Sequence, residues 1–238
     1  MSHLRMEPSE RWVRAQVNGE WVVDSKRPFL VWEHNKYPTY FFPRDDVRMD
    51  WLTESAQTKA RAFWNLQVGE RVIERAAYAY PDQAELAGML SLSWHKMDHW
   101  FEEEEEVYLH ARDPHKRVDA MPSSRHVKVM LDGVVLAETK RPTLLFETSL
   151  PTRYYLPTAD VNMTYLTASD SHTQCPYKGT ASYWHVNIDD KLYKDLVWYY
   201  PDPIPECPKI EGLLCFYNEK VDLIVDGVLQ ERPKTHWS

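Results

Sequence analysis

The sequence predicts a mostly β protein made of two tandem small antiparallel β-sheet domains with little helix. Three observations carry this: an internal repeat along the chain, alternating apolar runs closed by hairpin turns, and sixteen prolines without sustained helical periodicity. Val17-Asn18-Gly19 recurs as Leu131-Asp132-Gly133, and Asp24-Ser25-Lys26-Arg27-Pro28 recurs at the same spacing as Glu138-Thr139-Lys140-Arg141-Pro142. Glu33 then falls opposite Glu147, Tyr40-Phe41-Phe42-Pro43 opposite Tyr154-Tyr155-Leu156-Pro157, and Asp46-Val47 opposite Asp160-Val161. After a small insertion the match resumes with Phe63-Trp64 and Tyr183-Trp184, Tyr80-Pro81-Asp82 and Tyr200-Pro201-Asp202, and Gly88-Met89-Leu90 and Gly212-Leu213-Leu214. The expected domains are therefore 1–120 and 121–238, with the Pro/Ser stretch 119–125 as linker.

Element by element, each copy opens with a hairpin. Asn18-Gly19 and Asp132-Gly133 sit between alternating apolar runs, the pattern of a tight two-residue turn. A second bend at Lys26-Arg27-Pro28 and Lys140-Arg141-Pro142 leads into Phe29-Leu30-Val31-Trp32 and Leu144-Leu145-Phe146. Near the end of the second copy, the runs 213–217 and 221–225 flank Asn218-Glu219-Lys220 as short antiparallel strands. The best helical window in the chain is 54–66.

The 238 residues carry a formal charge of −8, with ten Trp and fourteen Tyr. That aromatic content excludes a disordered or low-complexity chain. The acidic balance argues against nucleic acid or an anionic membrane as partner, since both require a clustered basic surface. Cys175, Cys207 and Cys215 include no Cys-x-x-Cys pair, so neither a disulfide framework nor a zinc ribbon is expected, and a reducing, cytoplasmic location is. No stretch approaches the length of an apolar membrane span.

Candidate chemistry starts with the acids. If the bend centres on Arg141-Pro142, position 138 pairs with 145 and 136 with 147, which puts Glu138 and Glu147 on one face. With Arg141 near by, such a pair can divide general acid and base work or bind a polar substrate. Equally, Glu138 and Arg141 can form a turn ion pair with Glu147 solvated. In the segment 173–184, Cys175 stands beside Lys178 and is either a thiolate nucleophile or a buried thiol in a turn fixed by Pro176 and Gly179. The first copy lacks this Cys-Pro-Tyr-Lys-Gly element, so a site is expected in the second copy, with the first as scaffold or wall. His95 and His99 have i, i+4 spacing, but the repeat places His95 at a hairpin bend rather than on a helix, so no metal site is expected. The run 102–106 is five consecutive acids, which reads as a solvated edge or a surface for a basic partner.

The second copy resembles the domain-of-unknown-function family four-two-seven through Asp132-Gly133, Glu138-Thr139, Glu147, Tyr154-Tyr155-Leu156-Pro157, Asp160-Val161, the element 173–179, Tyr183, 197–200 and 212–217. The likeness spans 126–227, and the first copy resembles the same family over about 13–110. The resemblance implies a β-tent-like fold, small sheets meeting over a pocket. The zinc knuckles of β-tent relatives have no counterpart here, and neither does the paired-aspartate site that the family's nucleotidyltransferase-like label calls for.

These features lead to the expectation of a small-molecule enzyme without an organic cofactor, of lyase, isomerase or hydrolase type. In it Glu147, Glu138, Cys175 and Lys178 work on a substrate held by Arg141, Tyr154, Tyr177, Tyr183 and Trp198. A non-catalytic ligand-binding or interaction module is the alternative, and a monomer or weak homodimer the expected state.

Overall fold

In the computed structural model the described residues are 4–34 and 37–238, and the chain divides into two compact units, Met1–Asp113 and Pro114–Ser238. The first unit contains β1 (Arg5–Pro8), β2 (Val13–Val17), β3 (Glu20–Ser25), β4 (Phe29–Trp32), β5 (Thr39–Pro43), β6 (Leu52–Gln57), β7 (Ala62–Val68), β8 (Arg71–Ala79), β9 (Met89–Leu92), β10 (His99–Glu102) and β11 (Glu105–Glu106). They form a seven-stranded antiparallel sheet in the order β1-β4-β5-β9-β8-β7-β6 and a four-stranded sheet in the order β11-β10-β2-β3. The second unit contains β12 (Val118–Pro122), β13 (Val127–Leu131), β14 (Val134–Thr139), β15 (Thr143–Glu147), β16 (Arg153–Leu156), β17 (Leu166–Cys175), β18 (Gly179–Ile188), β19 (Lys191–Tyr199), β20 (Leu214–Phe216), β21 (Asp222–Val225) and β22 (Val228–Leu229). Its sheets run β12-β15-β16-β20-β19-β18-β17 and β14-β13-β21-β22. The order is the same strand for strand in both units, as the sequence repeat requires. Every helical piece among the described residues is a three-residue 3-10 turn, and no helix is long and apolar enough to cross a membrane.

The opening hairpins turn as expected. Asn18 and Gly19 have φ of +53° and +77°, and Asp132 and Gly133 have +49° and +82°. Two successive left-handed residues give the turn whose twist matches the flanking strands, and Asn/Asp followed by Gly reaches it with least strain.

Two sequence expectations give way. The window 54–66 is not helical: it covers most of β6 and the first half of β7, paired from Leu52↔Leu66 to Gln57↔Ala62. Ala62, Trp64, Leu66 and Val68 are buried at alternate positions, so the period is that of a strand. The stretch 119–125, expected as linker, begins inside β12, which pairs with β15 from Val118↔Glu147 to Pro122↔Thr143. Proline is tolerated there because β12 is an edge strand and the residue lies at its end.

Within each unit the small sheet covers one face of the large one. Val13, Ala15 and Val17 from β2 pack with Tyr40, Phe42, Trp64 and Leu66 from the large sheet. Val127, Val129 and Leu131 from β13 likewise pack with Leu156, Val186 and Val197. The pleat sends alternate residues to the opposite face, where a second cluster forms in each unit. In the first it contains Val31, Phe41, Tyr78 and Leu86, with Phe63, Tyr80 and Met89 against it. In the second it contains Leu145, Tyr155, Tyr183, Trp198, Tyr200 and Ile210, with Leu213 against it. These are repeat-related positions one for one, so duplication has preserved both faces of the sheet.

Candidate functional site

The second face is where the chemistry-bearing residues of the second unit gather. Glu147 ends β15 two residues after Leu145, so the strand period places its carboxylate on the face that carries Tyr155 and Trp198. Its Oε2 accepts a hydrogen bond from Lys178 Nζ. The pair is almost enclosed, with side-chain exposures of 9% and 10%. Oε1 of Glu147 has no partner among the described residues.

Lys178 is set by the turn between β17 and β18. Its N–H donates to the Cys175 carbonyl at 3.3 Å, and its own carbonyl accepts from Ile204 N–H at 3.1 Å. Burial works against the ammonium, but electrostatic attraction to Cys175 and Glu147 and the hydrogen bond to Glu147 outweigh it and raise its pKa. Lys178 therefore stays cationic. Gly179, the next residue, has φ of +101°, and a Cβ there would lie 3.2 Å from the Asp202 carbonyl oxygen. Gly179→Ala is expected to cost about 1–3 kcal/mol through left-handed strain and displacement of the 202–204 backbone, read as a lowered Tm with the Lys178 turn released.

Around the pair stand three thiols and four aromatic groups. Cys175 is half-buried, while Cys207 and Cys215 are buried and unpaired. Burial pushes the Cys207 thiol up to about 11 and the Cys215 thiol up to about 12. Tyr183 and Thr173 share a hydroxyl hydrogen bond of 2.7 Å, Trp198 Nε1 donates to Tyr155 Oη at 3.0 Å, and Trp198 lies 4.5 Å from the Tyr217 ring. A cleft of 200 Å³ opens beside Cys207, between β12 and residues 206–209.

Of the residues singled out from sequence, Glu147, Cys175, Lys178, Tyr183 and Trp198 come together on this face, and half-buried Tyr177 sits in the Lys178 turn. Glu138, Arg141 and Tyr154 do not join them. The Lys140-Arg141-Pro142 bend carries the chain from the small sheet to the large one, so β14 and β15 never pair and the expected 138–145 register does not exist. Glu138 instead accepts from His126 at 2.7 Å and pairs with Lys128 at 3.3 Å, which holds its pKa below the ordinary value. It borders a different surface hollow of 430 Å³ together with Asp160. Arg141 binds Asp160 through Nε at 3.0 Å and Nη2 at 3.1 Å. Tyr154 faces the other way, against the core between the two sheets.

Sequence reasoning missed a second buried ion pair on the same face. Arg153 opens β16 and donates through Nη1 to Glu219 Oε2 at 2.6 Å and through Nη2 to Oε1 at 2.7 Å, and also bonds Asn218. Its guanidinium lies 5.4 Å from the Trp198 ring and 5.3 Å from that of Trp237, and Thr235 donates to Glu219 at 2.7 Å. The repeat gave no signal, because the first copy has Thr39 at this position. An arginine directly before the apolar run Tyr154-Tyr155-Leu156 was the available clue, since a charge in a buried strand needs a partner.

The acids 102–106 are not a bare solvated edge. Glu102 binds Arg11 and accepts from Tyr40 at 2.7 Å, Glu103 accepts from Trp12 N–H at 2.9 Å, Glu104 meets Arg14 at 3.2 Å, Glu105 meets Arg112 at 3.1 Å, and Glu106 meets His99 at 2.6 Å. His95 lies in the 3-10 turn Trp94–Lys96 and His99 on β10, so their i, i+4 spacing is not helical. No group of three or more potential metal ligands occurs among the described residues.

Two units of matching strand order define a duplicated β domain. The family described as a domain of unknown function, DUF427, matches residues 5–103 and again 119–227, and the chain belongs to that family, carrying two copies of its domain. No curated protein matches the chain.

Proposed function

We propose that the second domain is a small-molecule enzyme that works by proton transfer through Glu147, of lyase, isomerase or hydrolase type, without an organic cofactor. The observation that carries this reading is the half-satisfied carboxylate: Lys178 fixes Oε2 while Oε1 is left open on an aromatic face. A general base needs that combination of a rigid support and one oxygen within reach of a substrate proton. Lys178 positions the base and balances its charge. Tyr183 and Trp198 supply a flat aromatic wall, held in place by the bonds of the Tyr183 hydroxyl to Thr173 and of the Trp198 indole to Tyr155. Cys175 and Tyr177 border the same turn and complete the substrate-facing set. The partner is then a small molecule in the cytoplasm.

The test requires no guessed substrate. The full chain is incubated with a small-molecule extract and followed by mass spectrometry, alongside the Glu147→Gln/Lys178→Met double variant, in which the ion pair is replaced by neutral side chains of similar size. The expected result is depletion of one compound and appearance of an isomer, a hydration product or cleavage fragments with the native protein only. A compound retained by the native protein and recovered unchanged makes this domain a binding module instead, and equal turnover by the double variant removes Glu147 from the chemistry.

A further inference from the structure

The first domain was expected to be a scaffold because it lacks the Cys-Pro-Tyr-Lys-Gly element, yet its second face also holds a carboxylate and a cation. Glu33 follows β4 as Glu147 ends β15, and Arg61 comes from the β6–β7 turn as Lys178 comes from the β17–β18 turn. The satisfied and open partners are exchanged. Here the carboxylate is saturated: Glu33 Oε2 accepts from Tyr78 Oη at 2.7 Å, and Oε1 takes both Tyr80 Oη and Arg61 Nη2, the latter at 3.2 Å. The cation is the open group. Arg61 spends Nε on Tyr80 Oη at 2.9 Å and Nη2 on Tyr80 and Glu33, while Nη1 has no partner among the described residues.

We propose that Glu33, Arg61, Tyr78 and Tyr80 form a second ligand site, separate from Glu147, that receives an oxyanion group of a small molecule, a carboxylate or a phosphate, on Nη1 of Arg61. Burial, charge and rigidity all point to that class of ligand. The Arg61 side chain is 34% exposed against 8% for Glu33, so the cation faces outward from an anion held behind it. Its guanidinium lies 4.7 Å from the Tyr78 ring centre and 5.0 Å from that of Tyr80, which fixes its plane and leaves its charge in place. The turn is rigid as well, since Thr58 N–H donates to the Arg61 carbonyl at 2.7 Å and Thr58 Oγ1 accepts from Arg61 N–H at 2.9 Å. An arginine immobilised from behind loses little side-chain freedom when it binds an anion, and its remaining N–H groups make charge-assisted bonds to oxygen. The same place in the fold thus offers an acceptor oxygen in the second domain and a donor cation in the first. The two domains would take ligand groups of opposite character.

Arginine side-chain NMR on the full chain tests this, with sodium phosphate and sodium acetate titrated separately at constant ionic strength. A saturable shift of the Arg61 Nε resonance with at least one of the two anions, lost in Arg61→Gln, is the expected result, and which anion saturates assigns the class. Tyr78 and Tyr80 still hold Glu33 in that variant, and an otherwise unchanged amide spectrum reports an intact fold. Should Arg61→Gln fail to fold, Arg61→Lys serves instead, followed through backbone amide shifts of the 58–61 turn: it keeps the charge but not the fork, so binding weakens. Shifts linear in anion concentration for the native chain, saturable shifts that persist in Arg61→Gln, or unchanged affinity in Arg61→Lys overturn the proposal. None of these readings depends on activity at Glu147.

Discussion

Arg153→Met is expected to destabilise the second domain by about 3–5 kcal/mol, the usual consequence of removing one member of an enclosed ion pair. The side chains of Arg153 and Glu219 are 7% and 0% exposed, so the orphaned carboxylate would have no route to water without opening the 217–220 segment and the Thr235–Trp237 stretch that packs on it. Glu219→Gln should also destabilise the domain, because the amide oxygen can keep Thr235 and one Arg153 N–H while its NH2 turns toward the other and the guanidinium charge is left unpaired. The pair also has a pH signature. Burial works to raise the Glu219 pKa, but hydrogen bonds from Arg153 and Thr235 prevail and hold it below its ordinary 4.5. A carboxylate whose folded pKa is depressed contributes stability that is fully present above its unfolded value and is lost as pH falls through the folded one. The stability difference between the native chain and Arg153→Met should therefore shrink as pH falls, in two stages: the enclosed, unpaired Glu219 of the variant, whose pKa burial now raises, is relieved by protonation already above 4.5, and the native chain loses its own contribution below 4.5. Chemical denaturation at a series of pH values measures it, and a difference that stays constant down to pH 3 would show that Arg153 acts by packing alone.

The fold was legible because two independent signals agreed. Repetition fixed the domain count and the equivalence of strands, and Asn-Gly and Asp-Gly with alternating apolar flanks fixed the first hairpin of each copy. What the sequence could not convey was which strand lies beside which. The Lys140-Arg141-Pro142 bend looks like a hairpin locally, yet its flanking strands belong to different sheets, and that single non-local fact separates Glu138 from Glu147. Cys175, Lys178 and Tyr183 were found because the copies differ there. Arg61 went unnoticed for a related reason: it aligns with Ala181, and its spatial counterpart Lys178 lies three positions away in the shorter turn of a longer hairpin. Correspondence in space had replaced correspondence in sequence. Arg153, with Thr39 in the other copy, shows the same limit, since a charge added on one side of a duplication has no partner in the repeat to announce it.

The second large effect concerns the site itself. Lys178→Met should cost about 3–5 kcal/mol by leaving the Glu147 carboxylate enclosed and unpaired, and Glu147→Gln should cost a comparable amount by stranding the ammonium. A glutamate that is solvated, the reading the sequence leaves open for Glu147, would carry little structural weight, and Glu147→Gln would then leave the melting temperature nearly unchanged. Side-chain exposures of 9% and 10% reverse that expectation. Loss of activity in either single variant is therefore ambiguous, because a damaged turn at 175–179 would also abolish it. The double variant Glu147→Gln/Lys178→Met resolves the ambiguity through a double-mutant cycle. With both charges gone, no buried ion is left without a partner, so stability should recover most of what each single change removes and the coupling should be large. Turnover should not recover, because the open Oε1 no longer belongs to a base. Thermal or urea unfolding of the four proteins, measured beside the extract assay, separates the roles: recovered stability with absent turnover assigns the Glu147–Lys178 pair to the chemistry. Stability losses that simply add would mean that the two side chains do not form a coupled pair, and would remove the rigid support on which a base at this position depends.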